Sequence, residues 1–152
     1  MSTEKQFCSF VVQEFLFGVA IEEVQELIRH QAMTIIPLSS DKIGGLINLR
    51  GQIVVAIDLR QCLGLPPRSP EESPMNVILR TSDGLVSLLV DEIGDVVEVP
   101  DGACDPPPQT LCGIGRELIK SVVMLKDNLL LILDIHRVLS MDSAPTLTAS
   151  GD

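Results

Sequence analysis

Few residues of this chain have the types and spacing that covalent chemistry needs. His30 and His136 lie far apart in sequence, each beside an arginine, and Cys8, Cys62, Cys104 and Cys112 show no CxxC pair, so no zinc-like ligand set is written into the chain. Ser39, Ser40 and Ser87 stand outside any Gly-x-Ser-x-Gly nucleophile elbow. Gly113-Ile-Gly115 lacks the third glycine and the βαβ setting of a nucleotide cradle. Carboxylates could serve as general acids or bases. A solvated face accounts for them more simply, because acidic side chains are ordinarily exposed.

Arg50 offers recognition instead. It lies in Asn48-Leu49-Arg50-Gly51-Gln52, between two apolar runs, at the predicted tip of a hairpin that cannot bury it. Its fork of N–H donors suits a carboxylate, an amide or a backbone carbonyl. Two readings stay open from these residues: an anchor in a protein interface, where arginine is enriched, and an ordinary turn arginine. No spacing rule places Glu26 beside it.

The elements that must position Arg50 show an internal echo. Gln52-Ile-Val-Val-Ala-Ile-Asp58-Leu-Arg-Gln-Cys-Leu63 and Asn128-Leu-Leu-Leu-Ile-Leu-Asp134-Ile-His-Arg-Val-Leu139 both run polar residue, apolar run, aspartate and short amphipathic tail. Ile21 to Ile28 matches Val90 to Val97 in the same polar and apolar classes except at Gly94. Duplication of a small module is the first hypothesis; the alternative is a chance echo, since strands and turns share a restricted vocabulary.

Phe7 to Val12 and Phe15 to Val19 read as a hairpin around Glu14. Ile21, Val24, Leu27 and Ile28 fall at helical spacing, predicting a one- or two-turn helix that runs into a strand. Thr34 to Pro37 reads as extended, because Pro37 biases Ile36 away from the α region. Asp58 is placed to cap a short helix from Leu59 to Leu63, which Gly64, Pro66 and Pro67 stop. Arg68 to Pro74 is the best candidate linker and carries no hydrophobic anchor. Asn76 to Arg80 and Leu85 to Val90 form a second opening hairpin, Asp91 to Val99 repeats the acidic element, and Pro100 to Gln109 is irregular. Leu111 to Ile114 reads as an edge segment, Leu118 to Leu125 and Leu129 to Leu133 as strands, and Asp134 as the cap of a last helix.

The chain has 152 residues, net charge −10 from 21 acidic and 11 basic residues, 45% apolar residues and 3% aromatics, without Trp or Tyr. A length near one ordinary domain suffices to bury a core, and that core must be mostly Val, Ile and Leu, which favours sheet. Few aromatics leave no stacking platform for bases, and the acidic balance argues against nucleic acid or anionic lipid as a partner. No apolar stretch is long enough to span a bilayer, and Met1 to Gln6 is too polar for a secretory leader. Free thiols and a cytoplasmic location follow as defaults.

At Gly45-Leu-Ile-Asn-Leu-Arg-Gly-Gln-Ile-Val-Val-Ala-Ile-Asp-Leu59 the chain resembles the CheW family of chemotaxis coupling proteins. The likeness runs from about Phe7 to Leu139 and includes Phe7-Cys-Ser-Phe-Val, Phe17-Gly-Val, Ile21-Glu-Glu-Val-Gln-Glu26 and Leu89-Val-Asp-Glu-Ile-Gly-Asp-Val96. The resemblance implies a mainly β fold of two intertwined five-stranded SH3-like barrels sharing a hydrophobic core, with short helices. Subdomain 1 would span about 14–67 and subdomain 2 about 75–133, the terminal segments of a 7–139 domain completing the barrels and 142–152 forming a flexible tail.

The resemblance further implies a non-enzymatic adaptor without cofactors. Such a protein bridges the cytoplasmic tip of chemoreceptors to the regulatory domain of a CheA-type histidine kinase, and is recruited from the cytoplasm to receptor arrays without inserting into the membrane. Arg50, with Asn48 and Gly51 shaping its turn, and Val24 and Glu26 are the receptor-binding residues it implies. Two positions depart from common family patterns: Val55, where many members have proline, and Gly44, where some have lysine. The alternatives are a similar adaptor for twitching motility or another output, an accessory or inhibitory subunit of an unrelated enzyme, and, more weakly, a small-molecule sensor.

Overall fold

The apolar runs of this chain are strands buried on both faces, which is why so many of them fail to alternate. A computed structural model describes residues 5–29, 33–34, 43–69, 71–82, 84–100, 102–107 and 117–139. Eleven strands are formed there: β1 (Lys5–Val12), β2 (Phe15–Ala20), β3 (Val24–Ile28), β4 (Ile43–Leu49), β5 (Gln52–Asp58), β6 (Met75–Thr81), β7 (Gly84–Val90), β8 (Glu92–Val99), β9 (Cys104–Asp105), β10 (Ile119–Met124) and β11 (Leu129–Leu133). A 3₁₀ turn at Ile21–Glu23 leads directly into β3, α1 spans Leu59–Leu63, and residues 135–139 are helical. The helical spacing that begins at Ile21 therefore yields a single turn before its β-branched neighbours continue as strand. The acidic stretch after Asp91 is a strand throughout.

One sheet has the order β3-β6-β7-β5-β4 and the other β8-β1-β2-β11-β10-β9. Backbone pairing closes neither into a barrel among the described residues, and the second has six strands. The two are permuted copies of one topology. In each, an outer strand (β3 or β8) pairs antiparallel with the first strand of a hairpin (β6–β7 or β1–β2). The hairpin's second strand pairs parallel with a strand that ends at an aspartate and a helical turn (β5 or β11), which pairs in turn with β4 or β10. Both sequence echoes superpose on this scheme, β3 with β8 and β5 with β11. The hairpins are exchanged: β6 and β7 follow the linker in sequence yet belong to the sheet of β3 to β5, while the N-terminal hairpin joins the C-terminal strands.

Alternate residues along each strand serve different cores. Ile47, Leu49, Val54, Ala56, Ile78 and Leu89 fill one within the first sheet, and Phe7, Val99, Val123, Leu130 and Ile132 fill one within the second. The residues between them, among them Phe10, Val12, Phe17, Ile57, Val77, Leu79, Leu88, Leu131 and Leu133, meet in a larger cluster that both sheets share.

The aspartates at the strand ends act as read from sequence. Asp58 accepts a hydrogen bond from the Arg60 N–H at 3.0 Å, and Gly64 ends α1 at φ +72°. Asp134 accepts from the Arg137 N–H at 3.3 Å. The linker, in contrast, is anchored, and by charge: the Arg68 side chain is 9% exposed, and its Nε and Nη2 donate to Asp91 at 3.1 and 2.9 Å. The segments around Leu111 to Ile114, Gly113 to Gly115, Ser39 and Ser40, His30, Cys112 and the tail from 142 lie outside the described residues.

Candidate functional site

Arg50 and Gly51 are the two central residues of the β4–β5 turn, since Leu49 pairs with Gln52. Both have positive φ, +51° and +87°, as a tight hairpin turn matching the strand twist requires. Glycine adopts that conformation freely, whereas arginine does not. Asn48 supports it, its Oδ1 accepting the Gly51 N–H at 2.8 Å. The turn thereby holds the Arg50 guanidinium outward, with the side chain 70% exposed.

Its fork is already half engaged. Nη1 and Nη2 donate to Oε1 and Oε2 of Glu26, each at 2.6 Å. Glu26 is on β3 and Arg50 at the end of β4, the two edges of the same sheet. Four strand spacings of about 4.8 Å would part those edges by about 19 Å in a flat sheet, beyond the reach of the two side chains. The sheet is therefore curled, and a bidentate ion pair spans the gap that backbone hydrogen bonds leave open. The hydrogen bond from Arg50 holds the Glu26 carboxyl below its ordinary pKa, against a smaller opposing effect of desolvation, and the same bond raises that of Arg50. Two of the five guanidinium N–H groups face Glu26, and the other three meet no acceptor among the described residues.

Around this pair, Arg80 on β6 donates to Gln25 Oε1 at 3.0 Å and to the Glu22 carbonyl at 2.8 Å, tying the start of β3 to its neighbour. Ile53, 64% exposed, follows the turn, and Leu27, 41% exposed, follows Glu26. Val24 is separated from the pair. A register shift between Val24 and Glu26 leaves Val24 opposite Leu79 and Glu26 opposite Ile78, so Val24 packs against the shared core while Glu26 sits over the first sheet's own interior. At Gly44 a Cβ would lie 2.6 Å from Leu89 Cδ1, so a side chain introduced there starts out toward the core. Val55 is half-buried against the shared cluster.

A second polar cluster escaped the sequence reading. Asp91, at the crossover from β7 to β8, accepts from Arg60 Nε at 3.1 Å and Nη2 at 2.5 Å, from Arg68, and from the Gln13 N–H at 2.6 Å. Burial raises its pKa, but the hydrogen bonds from Arg60, Gln13 and Arg68 outweigh that and lower it to about 2. Both guanidinium groups are turned onto this carboxylate, with Arg60 Nη1 also on the Pro66 carbonyl, so the cluster clamps α1, the linker and the first hairpin to the sheet crossover. The sequence signal was slight: an arginine just after a capping aspartate and an aspartate ending an apolar run. Among the described residues no group of three or more His, Cys, Asp or Glu side chains is placed to hold a metal, and no helix is long and apolar enough to cross a membrane.

A family model described as CheW-like domain matches residues 6–143. The chain belongs to the CheW family. It is 32% identical over 139 residues to the chemotaxis protein CheW of Treponema pallidum, covering 89% of this chain and 82% of that one. It is 28% identical over 144 residues to CheW of Bacillus subtilis, covering 95% and 92%. The crystal structure of the scaffolding protein TtCheW from Thermoanaerobacter tengcongensis superposes with a TM-score of 0.80 at 27% identity, covering 88% of this chain and 91% of that one. As a CheW-family member the chain is a non-enzymatic chemotaxis adaptor.

Proposed function

We propose that this adaptor couples the cytoplasmic tips of methyl-accepting chemoreceptors to the regulatory domain of a CheA-type histidine kinase, and that its receptor-binding surface is built on Arg50, Asn48, Gly51, Glu26 and Val24. The observation that carries this reading is the exposed Arg50 guanidinium, fixed by Glu26 and by its turn, with three donors that meet no acceptor among the described residues and the exposed apolar Ile53 following the turn. A fixed donor fork next to an exposed apolar side chain is the composition of an interface anchor, with Val24 setting the seat of β3 from below.

Each sheet, with its own interior cluster and a shared one between them, corresponds in this reading to one of the family's two SH3-like barrels within the 7–139 domain. The protein works in the cytoplasm and is recruited to receptor arrays at the membrane. Co-sedimentation of receptor fragments, kinase and this protein tests the role. Arg50→Glu reverses the charge at an exposed turn, so the variant should keep the fold, at lower stability through the lost Glu26 pair, and be lost from the pellet. Full assembly by a folded Arg50→Glu protein would sink the assignment. A pull-down from the source cell that returns a twitching-motility receptor set would move the output while keeping the adaptor mechanism.

A further inference from the structure

Glu26 reaches Arg50 because β3 breaks its own alternation. Val24 packs against the core that both sheets share, and Ile28 against the first sheet's interior. In a regular strand these two residues would share a face. The face changes at Gln25: Val24 is opposite Leu79 and Glu26 opposite Ile78, so Gln25 is an extra residue that β6 does not match. From Glu26 onward the pairing is regular, with Leu27 opposite Val77 and Ile28 opposite Asn76.

Without this bulge, the ladder that starts at Val24 and Leu79 would continue with Gln25 opposite Ile78 and Glu26 opposite Val77. Glu26 would then turn with Val77 to the shared-core face, away from Arg50, and Leu27 would take the interior face. A one-residue slip exchanges every side chain between the faces in this way. Apolar burial does not oppose it here, because Leu27 is 41% exposed as the strand stands, and β3 is an edge strand held by β6.

Arg80 grips the chain at the bulge and just before it. Its Nη1 donates to Gln25 Oε1 at 3.0 Å and its Nη2 to the Glu22 carbonyl at 2.8 Å. The first acceptor belongs to the extra residue, the second to the 3₁₀ turn that delivers the chain to β3. Arg80 lies two residues beyond Ile78 on β6, so it shares the face of the residue opposite Glu26. A guanidinium is planar and its donors diverge at fixed angles, so both bonds form together only when Gln25 holds its place outside the ladder. Neither acceptor is charged, which makes the clasp a matter of direction.

We propose that Arg80 is a positioning residue for the receptor-binding surface: its two-point clasp on Gln25 and Glu22 fixes the bulge that turns Glu26 onto Arg50. It rests on the receptor-binding reading of Arg50 and adds to that surface a residue outside both the turn and the ion pair.

NMR titration of the Glu26 side-chain carboxyl carbon in the full chain follows the clasp without any receptor, with the amide spectrum as the check on folding. In the wild type the hydrogen bond from Arg50 holds this carboxyl below its ordinary pKa. Arg80→Met should move its midpoint up toward that of an ordinary glutamate. Gln25→Met removes one acceptor at an exposed side chain and leaves every charge in place; it should move the midpoint the same way by less, and it decides alone if Arg80→Met does not fold. In co-sedimentation with receptor fragments each variant should bind about three- to tenfold more weakly than the wild type, as expected for the loss of a hydrogen bond that sets a contact.

An unmoved Glu26 titration in Arg80→Met overturns the proposal, and weakened binding by that variant would then make Arg80 a direct receptor contact. A shift in Arg80→Met that Gln25→Met does not share also overturns it, since the lost charge alone would account for the change. Wild-type receptor binding by both variants despite a shifted titration overturns it as well. The underlying receptor-binding reading fails separately, on full assembly by a folded Arg50→Glu protein, an outcome that leaves the titration result unchanged.

Discussion

Glu26 and Arg50 stand on opposite edges of one five-stranded sheet and meet through two hydrogen bonds of 2.6 Å. The pair does two things at once: it holds the curl of the sheet, and it presents a guanidinium to the outside.

These two tasks are separable. Exchanging the residues as Glu26→Arg with Arg50→Glu re-forms an ion pair across the same edges, so unfolding by denaturant should return toward the wild type relative to either single change. Receptor co-sedimentation should stay low, because the outward donors are now on the other strand. Recovery of both properties by the exchange would show that the pair acts only through the curl.

Asp91 gives an acid limit to stability. Its folded pKa of about 2 is below the ordinary 3.8, so its contribution is fully present above about pH 4 and is lost as pH falls toward 2. With allowance for solvent screening of a partly accessible group, this amounts to about 1–2 kcal/mol. Denaturant titrations at pH 5 and pH 3 should show the loss in the wild type. Asp91→Asn should start lower, because two arginines lose their carboxylate, and should lack this component of the pH dependence.

Gly94 is held to glycine by one contact. A Cβ there would lie 2.6 Å from the Oγ of buried Ser9, whose hydroxyl donates to the Asp95 carbonyl at 2.5 Å where β1 bulges against β8. Gly94→Ala should therefore destabilise by about 1–3 kcal/mol. Ser9→Ala in the same chain removes the clashing oxygen, so the double variant should cost less than the sum of the single ones in a thermal melt.

The two capping aspartates should differ in energy. Asp58→Ala frees the Arg60 N–H and should cost about 1 kcal/mol in chemical denaturation, whereas Asp134→Ala should cost less, because the Arg137 N–H also donates to the Asp134 backbone carbonyl at 3.1 Å. A negligible effect at either site would mean that the helical turn there is held by packing alone.

The strands, the capping aspartates and the Arg50 turn were legible because they rest on local signals: apolar runs, Asp before a short amphipathic tail, and Arg-Gly between two strands. The echo of Gln52 to Leu63 in Asn128 to Leu139 also matched a true structural equivalence. Sheet membership was not legible. Which hairpin joins which sheet depends on pairings such as Leu16 with Leu130 and Phe7 with Val97, and the hairpins at Phe7 and Asn76 carry the same local pattern. For the same reason the Arg60–Asp91–Arg68 clamp stayed hidden, since its members are distant in sequence and each has an ordinary local role. The Glu26–Arg50 pair was nameable residue by residue, but its closeness follows only from the curl.

The exchange of hairpins has a consequence for the order of assembly. Every strand of the first sheet, β3 to β7, has been made once synthesis passes Val90, so that sheet can pair completely while the rest of the chain is still emerging. The second sheet joins β2, made before every strand of the first sheet, to β11, made after all of them and the last strand among the described residues. From its synthesis until β11 appears, the N-terminal hairpin has an open edge and Phe10, Val12 and Phe17 lack part of their core. Long-range pairing of this kind is slow, and open strand edges invite wrong partners while they wait. Defects in the final strand should therefore appear as misassembly of the opening hairpin, at the far end of the chain.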